Sequence, residues 1–230
     1  MIVIIFGSPG SGKGTQSELI SSSFNLHTFE TSKLLEYEFN NSNDDNFFEV
    51  DGEKFYIKDE KKIWETGGLC SPPFVTQLVL KEIRRLHNEG KGIVFSGSPR
   101  TIYEGEKIAP VLKELYPNKI KVILLDVSAE DAIHRNSNRR ICTLMRHSIL
   151  FSEETKHLKF CPIDGSELKR RKGLDDPETI KVRLIEFRKR TMPLLDFFNN
   201  NDLPVNKIDG ADTPVNVFNN IVRVLKDDKN

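Results

Sequence analysis

The tightest constraint on this chain lies in its first fifteen residues. Ile2 to Phe6 is an unbroken run of β-branched and aromatic residues, and Gly7-Ser8-Pro9-Gly10-Ser11-Gly12-Lys13-Gly14-Thr15 follows directly. A run that is apolar at consecutive positions suits a strand buried on both faces of a parallel sheet. The segment after it fits G-x-x-x-x-G-K between a strand and a helix, with the hydroxyl residue one place late, behind Gly14. Glycines let a backbone wrap so that several N–H groups aim at one phosphate group, and the start of a helix adds partial positive charge. Lys13 supplies a point charge for outer phosphates. Thr15, in the first helical turn, brings a hydroxyl within reach of phosphate or Mg²⁺. Gly10, Ser11, Gly12, Lys13, Gly14 and Thr15 are therefore candidate phosphate-binding residues.

The rest of the chain repeats the strand-then-helix pattern. Buried-strand runs are predicted at Ile93–Ser96, Ile120–Val127 and Val205–Ile208, and helices near Pro73–Glu89, Glu104–Leu115, Ala129–Arg140, Pro177–Asn199 and Pro214–Leu225. Strands alternating with helices give an α/β fold: a P-loop parallel sheet with flanking helices. Two stretches break the pattern and read as inserts on the ligand edge of the sheet. Thr31–Thr66 is helical at both ends, with two β-prone runs facing each other across Asp51-Gly52, a strong hairpin signal. Ile141–Lys172 has no clear period and carries two of the three cysteines.

Composition excludes several functions. Lys plus Arg and Asp plus Glu number 34 each, so no bulk charge draws the chain to nucleic acid or a membrane. No apolar run reaches the roughly 18 residues that a membrane helix needs, and the apolar start lacks the basic leader of a signal peptide. Cys70, Cys142 and Cys161 are an odd count, which disfavours a disulfide framework and suits a reducing cytoplasm. A cytoplasmic monomer acting on small molecules is the expectation.

At this point the motifs are recognisable together. Gly7 to Gln16 is similar to the adenylate kinase version of the loop, Gly-x-Pro-Gly-x-Gly-Lys-Gly-Thr-Gln. Gly97-Ser98-Pro99-Arg100-Thr101 resembles that family's Gly-Phe-Pro-Arg-Thr. Arg135 with Arg139-Arg140 resembles the arginine pattern at the base of the family's lid, and Leu174-Asp175-Asp176 with Arg183 resembles its Asp-Asp and following helix arginine. The match keeps its order from residue 1 to about 225.

The resemblance implies a core of 1–30, 68–135 and 173–230, a monophosphate-binding insert at 31–67, and a lid at 136–172. It also implies transfer of the γ-phosphoryl group from ATP to AMP with Mg²⁺. Lys13, Arg100, Arg135, Arg139 and Arg183 are the implied catalytic set. Thr31, Glu104 and Arg171 join the nucleotide-binding residues, Arg170 and Lys172 being alternatives to Arg171. The residue types suit that chemistry: phosphoryl transfer needs two substrates held in line and charge neutralised on the moving group, and a guanidinium fork binds phosphate bidentately.

Within the expected lid, some members of the resembled family bind structural zinc through Cys-x-x-Cys and Cys-x-x-Cys or Cys-x-x-Asp. Cys161-Pro-Ile-Asp164 fits the second half, but Met145 stands where the second cysteine of the first half belongs. A thioether is a poor zinc ligand and imidazole a good one, so Cys142, His147, Cys161 and Asp164 are the expected ligands. His157 as a substitute and a metal-free lid are the alternatives.

The chain also departs from the resembled pattern. Glu36 stands at an arginine position that grips the acceptor phosphate, Lys33 at an aspartate, and Ser96 at an aspartate that orders Mg²⁺ hydration. Glu104 stands at a glutamine that reads adenine. Lys33 or Lys54 is a candidate to restore the lost charge. AMP is the expected acceptor. The alternatives are another nucleoside monophosphate, GMP first, or a low-turnover nucleotide-binding protein.

Overall fold

The computed structural model describes residues 1–170 and 175–227. In chain order the elements are β1 (Ile2–Gly7), α1 (Lys13–Phe24), β2 (Leu26–Glu30), α2 (Thr31–Asn41), β3 (Phe47–Val50), β4 (Glu53–Tyr56), α3 (Ile57–Glu65), α4 (Pro72–Asn88), β5 (Gly92–Ser96) and α5 (Ile102–Leu115). There follow β6 (Ile120–Asp126), α6 (Ala129–Ser137), β7 (Arg140–Cys142), β8 (Ser148–Ile149), β9 (Leu168–Lys169), α7 (Pro177–Glu186), a π-helical turn (Phe187–Thr191), α8 (Pro193–Asn200), β10 (Val205–Asp209) and α9 (Pro214–Lys226).

Five strands form one parallel sheet in the order β10-β6-β1-β5-β2. β1 lies at its centre, with Ile2 opposite Ile93 on one side and Ile120 on the other. Its side chains alternate between two cores. Ile2, Ile4 and Phe6 pack with Phe74, Phe95 and Phe198, while Val3 and Ile5 pack with Ile20, Val217 and Ile221. That is why the run reads as continuously apolar. In open parallel sheets ligands gather beyond the carboxyl ends of the strands. The loop after β1 and the loop after its neighbour β5 share that edge.

Both inserts leave from the same edge. β3 and β4 form the expected hairpin, with Asp51 and Gly52 both at positive φ in its turn. β7, β8 and β9 form a small antiparallel sheet within the stretch that showed no period.

Three expectations need correction. β2 was not predicted; its residues, Leu26-His27-Thr28-Phe29-Glu30, mix polar and apolar positions because it is an edge strand. α6 ends at Ser137, not Arg140: the Asn136 and Asn138 amides donate to the Ala132 and His134 carbonyls, local bonds that compete with the helical ladder. The single helix expected over Pro177–Asn199 is interrupted by the π-helical turn, where Met192 N–H donates to the Phe187 carbonyl at 2.9 Å. Pro193 lacks the N–H that would continue the regular ladder.

Candidate active site

The loop between β1 and α1 closes on itself before any ligand is considered. Ser11 N–H donates to the Ser8 carbonyl at 3.1 Å. Lys13 Nζ folds back and donates to the carbonyls of Gly7 at 2.6 Å and Ser8 at 2.8 Å. Gly10 has φ +90°, and a Cβ there would stand 2.5 Å from the Ala132 carbonyl oxygen and 2.6 Å from Asn136 Nδ2. Glycine is therefore required where the loop presses on α6. Gly14 and Thr15 are exposed at the start of α1.

Burial pushes the Lys13 ammonium well below its ordinary pKa, and the positive charges of Arg100, Arg183 and Arg139 add to the shift. Those arginines come from the loop after β5, the last turn of α7 and the segment after α6. The fold thus brings four cations widely separated in sequence into one field. Like charges brought this close are costly, and such a concentration of positive charge marks a place suited to an anion.

Thr31 starts α2 with its side chain 2% exposed and its hydroxyl oxygen without a partner, so a ligand has a buried polar atom to engage there. Arg100 lies over Gly97, and its own pKa is lowered, first by burial. Arg135 differs from the other arginines. Its guanidinium donates to the carbonyls of Gly210 at 2.8 Å and Ala211 at 3.0 Å, beyond β10. It ties the root of the lid to the core rather than joining the charges around Lys13.

Glu104, expected to meet the acceptor's base, is 3% exposed, and its carboxylate accepts from Ser98, Arg100 and Thr101. Arg171 lies outside the described residues. Lys33 pairs with Glu30 at 2.5 Å, and Lys54 sits over the Phe47 ring at 4.4 Å. The cation that meets Glu36 is Arg146, at 3.3 Å, reaching across from the turn after β7. Sequence reasoning missed Arg146, Asn136, Ser98 and Thr191. Only Ser98 carried a signal, its place inside a recognised motif.

The lid cluster assembles as expected. One ligand atom each from Cys142, His147, Cys161 and Asp164 lie within 4.8 Å of one another. Cys142 Sγ stands 3.0 Å from Asp164 Oδ2, His147 Nδ1 stands 3.3 Å from the same oxygen, and Cys161 Sγ stands 3.6 Å from His147 Nδ1. A tetrahedral zinc site with bonds of about 2.0–2.3 Å has ligand–ligand edges of roughly 3.3–3.8 Å. The cluster is close to that size, and two sulfurs, a nitrogen and an oxygen are a donor set that zinc accepts. Met145 is 64% exposed. Cys70 plays no part: it is buried, bonds the Glu60 carbonyl at 3.5 Å, and burial pushes its thiol up to about 12.

Among the described residues no helix is long and apolar enough to cross a membrane. Comparison with known proteins agrees with the site. A sequence model of the adenylate kinase family matches residues 5–203. The chain is 30% identical over 226 residues to an adenylate kinase of Methanothrix thermoacetophila, covering 98% of each chain. It is 30% identical over 233 residues to one of Staphylococcus epidermidis, covering 98% of this chain and 99% of that one. It is 29% identical over 238 residues to one of Clostridium botulinum, covering all of both. With the loop, the converging arginines and the order of elements all in place, the chain belongs to the adenylate kinase family.

Proposed function

We infer how this family member moves the γ-phosphoryl group of ATP to AMP, giving two ADP, from one observation above the rest: Lys13 lies in a phosphate-cradling loop and shares its field with Arg100, Arg139 and Arg183. The loop's N–H groups and Lys13 hold the ATP phosphates. Arg100 holds the acceptor phosphate from the loop after β5, and Arg139 and Arg183 neutralise the group in transit. Arg135 fixes the lid's root and flanks the nucleotide, and Thr31 offers its unpartnered hydroxyl to the acceptor. Arg171 is assigned to the same phosphate-facing set from sequence alone.

Such a constellation has little covalent work to do. It sets the attacking acceptor oxygen in line and compensates charge on the equatorial oxygens. Segments 31–67 and 136–172 serve as acceptor lobe and lid over the core. Closing them expels water, which would otherwise accept the phosphoryl group.

Mg²⁺ takes oxygen ligands and keeps several waters. The exposed Thr15 hydroxyl at the head of α1 and the Ser96 hydroxyl at the end of β5 suit it, with the substrate's phosphates supplying the rest. Held there, Mg²⁺ would supply positive charge that offsets the substrate's phosphates. Cys142, His147, Cys161 and Asp164 are assigned to a structural zinc ion that ties the two halves of the lid. The protein is assigned to the cytoplasm as a monomer without nucleic-acid or membrane partners.

The test is turnover with AMP, GMP, CMP and UMP in parallel at fixed ATP and Mg²⁺. AMP is expected to be best, and Lys13→Ala, correctly folded, is expected to lose at least about 10²-fold in kcat. Full activity in Lys13→Ala overturns the loop assignment. A better acceptor than AMP overturns the acceptor and leaves phosphoryl transfer standing.

A further inference from the structure

Arg100 sits on a loop that is fastened from three sides, and Glu104 makes most of the fastening. The Arg100 N–H donates to Glu104 Oε2 at 3.0 Å, and the Ser98 hydroxyl donates to the same oxygen at 3.2 Å. The Thr101 hydroxyl donates to Glu104 Oε1 at 3.0 Å, while Glu104 N–H donates back to Thr101 Oγ1 at 3.3 Å, closing the start of α5. On the other side, the Arg100 carbonyl accepts from the Thr191 hydroxyl at 2.9 Å, in the π-helical turn. Beneath it, Gly97 has φ +110°, and a Cβ there would stand 2.7 Å from Arg100 Nη2. The guanidinium therefore rests on bare backbone.

The carboxylate's capacity is largely spent. An ionised carboxylate offers about four lone-pair sites and no donor. Three are taken by Ser98, Arg100 and Thr101, and the side chain is 3% exposed. Little remains for a nucleotide base. The hydrogen bonds instead run to the backbone on which Arg100 is mounted. Ser98 and Glu104, both departures from the resembled motif, are bonded to each other.

We propose that Glu104 is a positioning residue: with Ser98 it holds the Gly97–Thr101 loop so that Arg100 faces the acceptor phosphate, and it does not select the acceptor's base. This rests on the phosphotransferase reading above. Losing a hydrogen bond to a charged group costs on the order of 10- to 100-fold at the site it serves. That loss falls on every acceptor alike, because all carry the same phosphate.

The experiment measures kcat and KM for AMP and GMP, and KM for ATP, in wild type, Glu104→Ala, Glu104→Gln, Arg100→Ala and the double variant Glu104→Ala/Arg100→Ala. Wild-type turnover is the control for the phosphotransferase reading; its absence defeats that reading before the present one is tested. Glu104→Ala is expected to lower kcat/KM for AMP and GMP by the same factor, about 10-fold or more, with KM for ATP within about 2-fold. Glu104→Gln, which keeps an oxygen for the Arg100 N–H, is expected to recover most of the loss. In the Arg100→Ala background, Glu104→Ala is expected to add nothing, since residues acting as one unit are not additive. A change of more than about 10-fold in the AMP-to-GMP ratio overturns the proposal in favour of base reading. Full additivity with Arg100→Ala, or an equal loss in ATP binding, also overturns it. If Glu104→Ala does not fold, Ser98→Ala decides instead. It removes one donor, and is expected to raise the acceptor KM with the AMP-to-GMP ratio unchanged; an altered ratio or an unchanged KM overturns the proposal.

Discussion

The two inserts at the ligand edge of the sheet are stabilised by opposite means. Between β2 and α4, the chain buries its own apolar residues in the main core. Leu35, Phe39, Phe55 and Ile57 belong to the same cluster as Phe74 and Phe95, and Phe39 stacks on Phe74 with ring centroids 6.2 Å apart. Between α6 and α7, by contrast, the buried apolar cluster among the described residues is only Cys142, Ile149 and Cys161 with Leu168 against them. Leu144, Met145, Leu150, Phe160 and Ile163 stay exposed there. At about 25 cal/mol per Å², so small a cluster does not offset the entropy of ordering the chain around it. One insert takes its rigidity from the sheet. The other holds instead the Cys142, His147, Cys161 and Asp164 cluster, assigned above to zinc, and a segment cross-linked there would move as a unit without disturbing the core.

The largest expected effect tests the cross-link. Protein purified without chelator is expected to carry near one zinc per chain. Structural zinc in small peptide sites is worth about 10–16 kcal/mol in apparent binding, so Cys161→Ser is expected to lose the metal and unfold 136–170 locally, while the main thermal transition stays near wild type. Hydrogen exchange over β7–β9 reads this directly. His147→Ala tests the ligand that the sequence specified least. Metal-free protein with undiminished exchange protection in these strands would break the comparison.

The converse prediction concerns the acceptor insert. Phe39 is 4% exposed and touches Trp64 and Phe74. Phe39→Ala is expected to cost about 3–5 kcal/mol of global stability, visible as a lower midpoint in urea for the whole core. If only local exchange rises and the global midpoint holds, the insert is as autonomous as the lid.

A third effect arises where both inserts face the core loop. The Lys13 ammonium is held well below its ordinary pKa by burial and by neighbouring arginines. In the free protein, the folded state gives up this proton before the unfolded chain does, so stability is expected to rise with pH between the lowered and ordinary values. ATP affinity is expected to fall over the same interval, because a neutral amine offers phosphate no charge. Titrating both quantities in wild type and in Lys13→Met checks the sign. Parallel trends, or the same profile without Lys13, would contradict it.

Much of this was legible beforehand, for identifiable reasons. β1 announces itself because it is buried on both faces, and the phosphate loop because glycine is demanded at fixed places such as Gly10. The hairpin was readable from Asp51-Gly52. β2 was not, because an edge strand need not be apolar throughout, and the π-helical turn left no periodic trace. The clustering of Cys142, His147, Cys161 and Asp164 was readable because metal chemistry restricts residue type. The residue type of Glu104 is compatible with reading a base, and only its hydrogen bonds to Ser98, Arg100 and Thr101, which no sequence pattern displays, point to the positioning role proposed above. Pairings between segments brought together only by the fold, Thr191 with Arg100 or Arg146 with Glu36, have no signature in one sequence.

The smallest expected effect joins the two inserts. Arg146, at φ +60° in the turn after β7, places Nη1 3.3 and 3.5 Å from the two Glu36 carboxylate oxygens on α2. Both side chains are substantially exposed, at 55% and 39%. An exposed pair of this kind is worth about 0.2–1 kcal/mol at best and weakens with salt. Glu36 also places a negative charge where the resembled motif carries an arginine for the acceptor phosphate, and the lid's Arg146 offsets it. Glu36→Gln is therefore expected to lower the AMP KM modestly, by about 2- to 5-fold, at low ionic strength. Arg146→Ala alone is expected to raise it, since Glu36 is left uncompensated beside the incoming phosphate. Arg146→Ala in the Glu36→Gln background is expected to do less. A double-mutant cycle at 20 mM and 500 mM salt reads the coupling, which should shrink at the higher concentration. Zero coupling at both would mean that lid and acceptor insert meet without an electrostatic link, and that Glu36 acts on AMP, if at all, by itself.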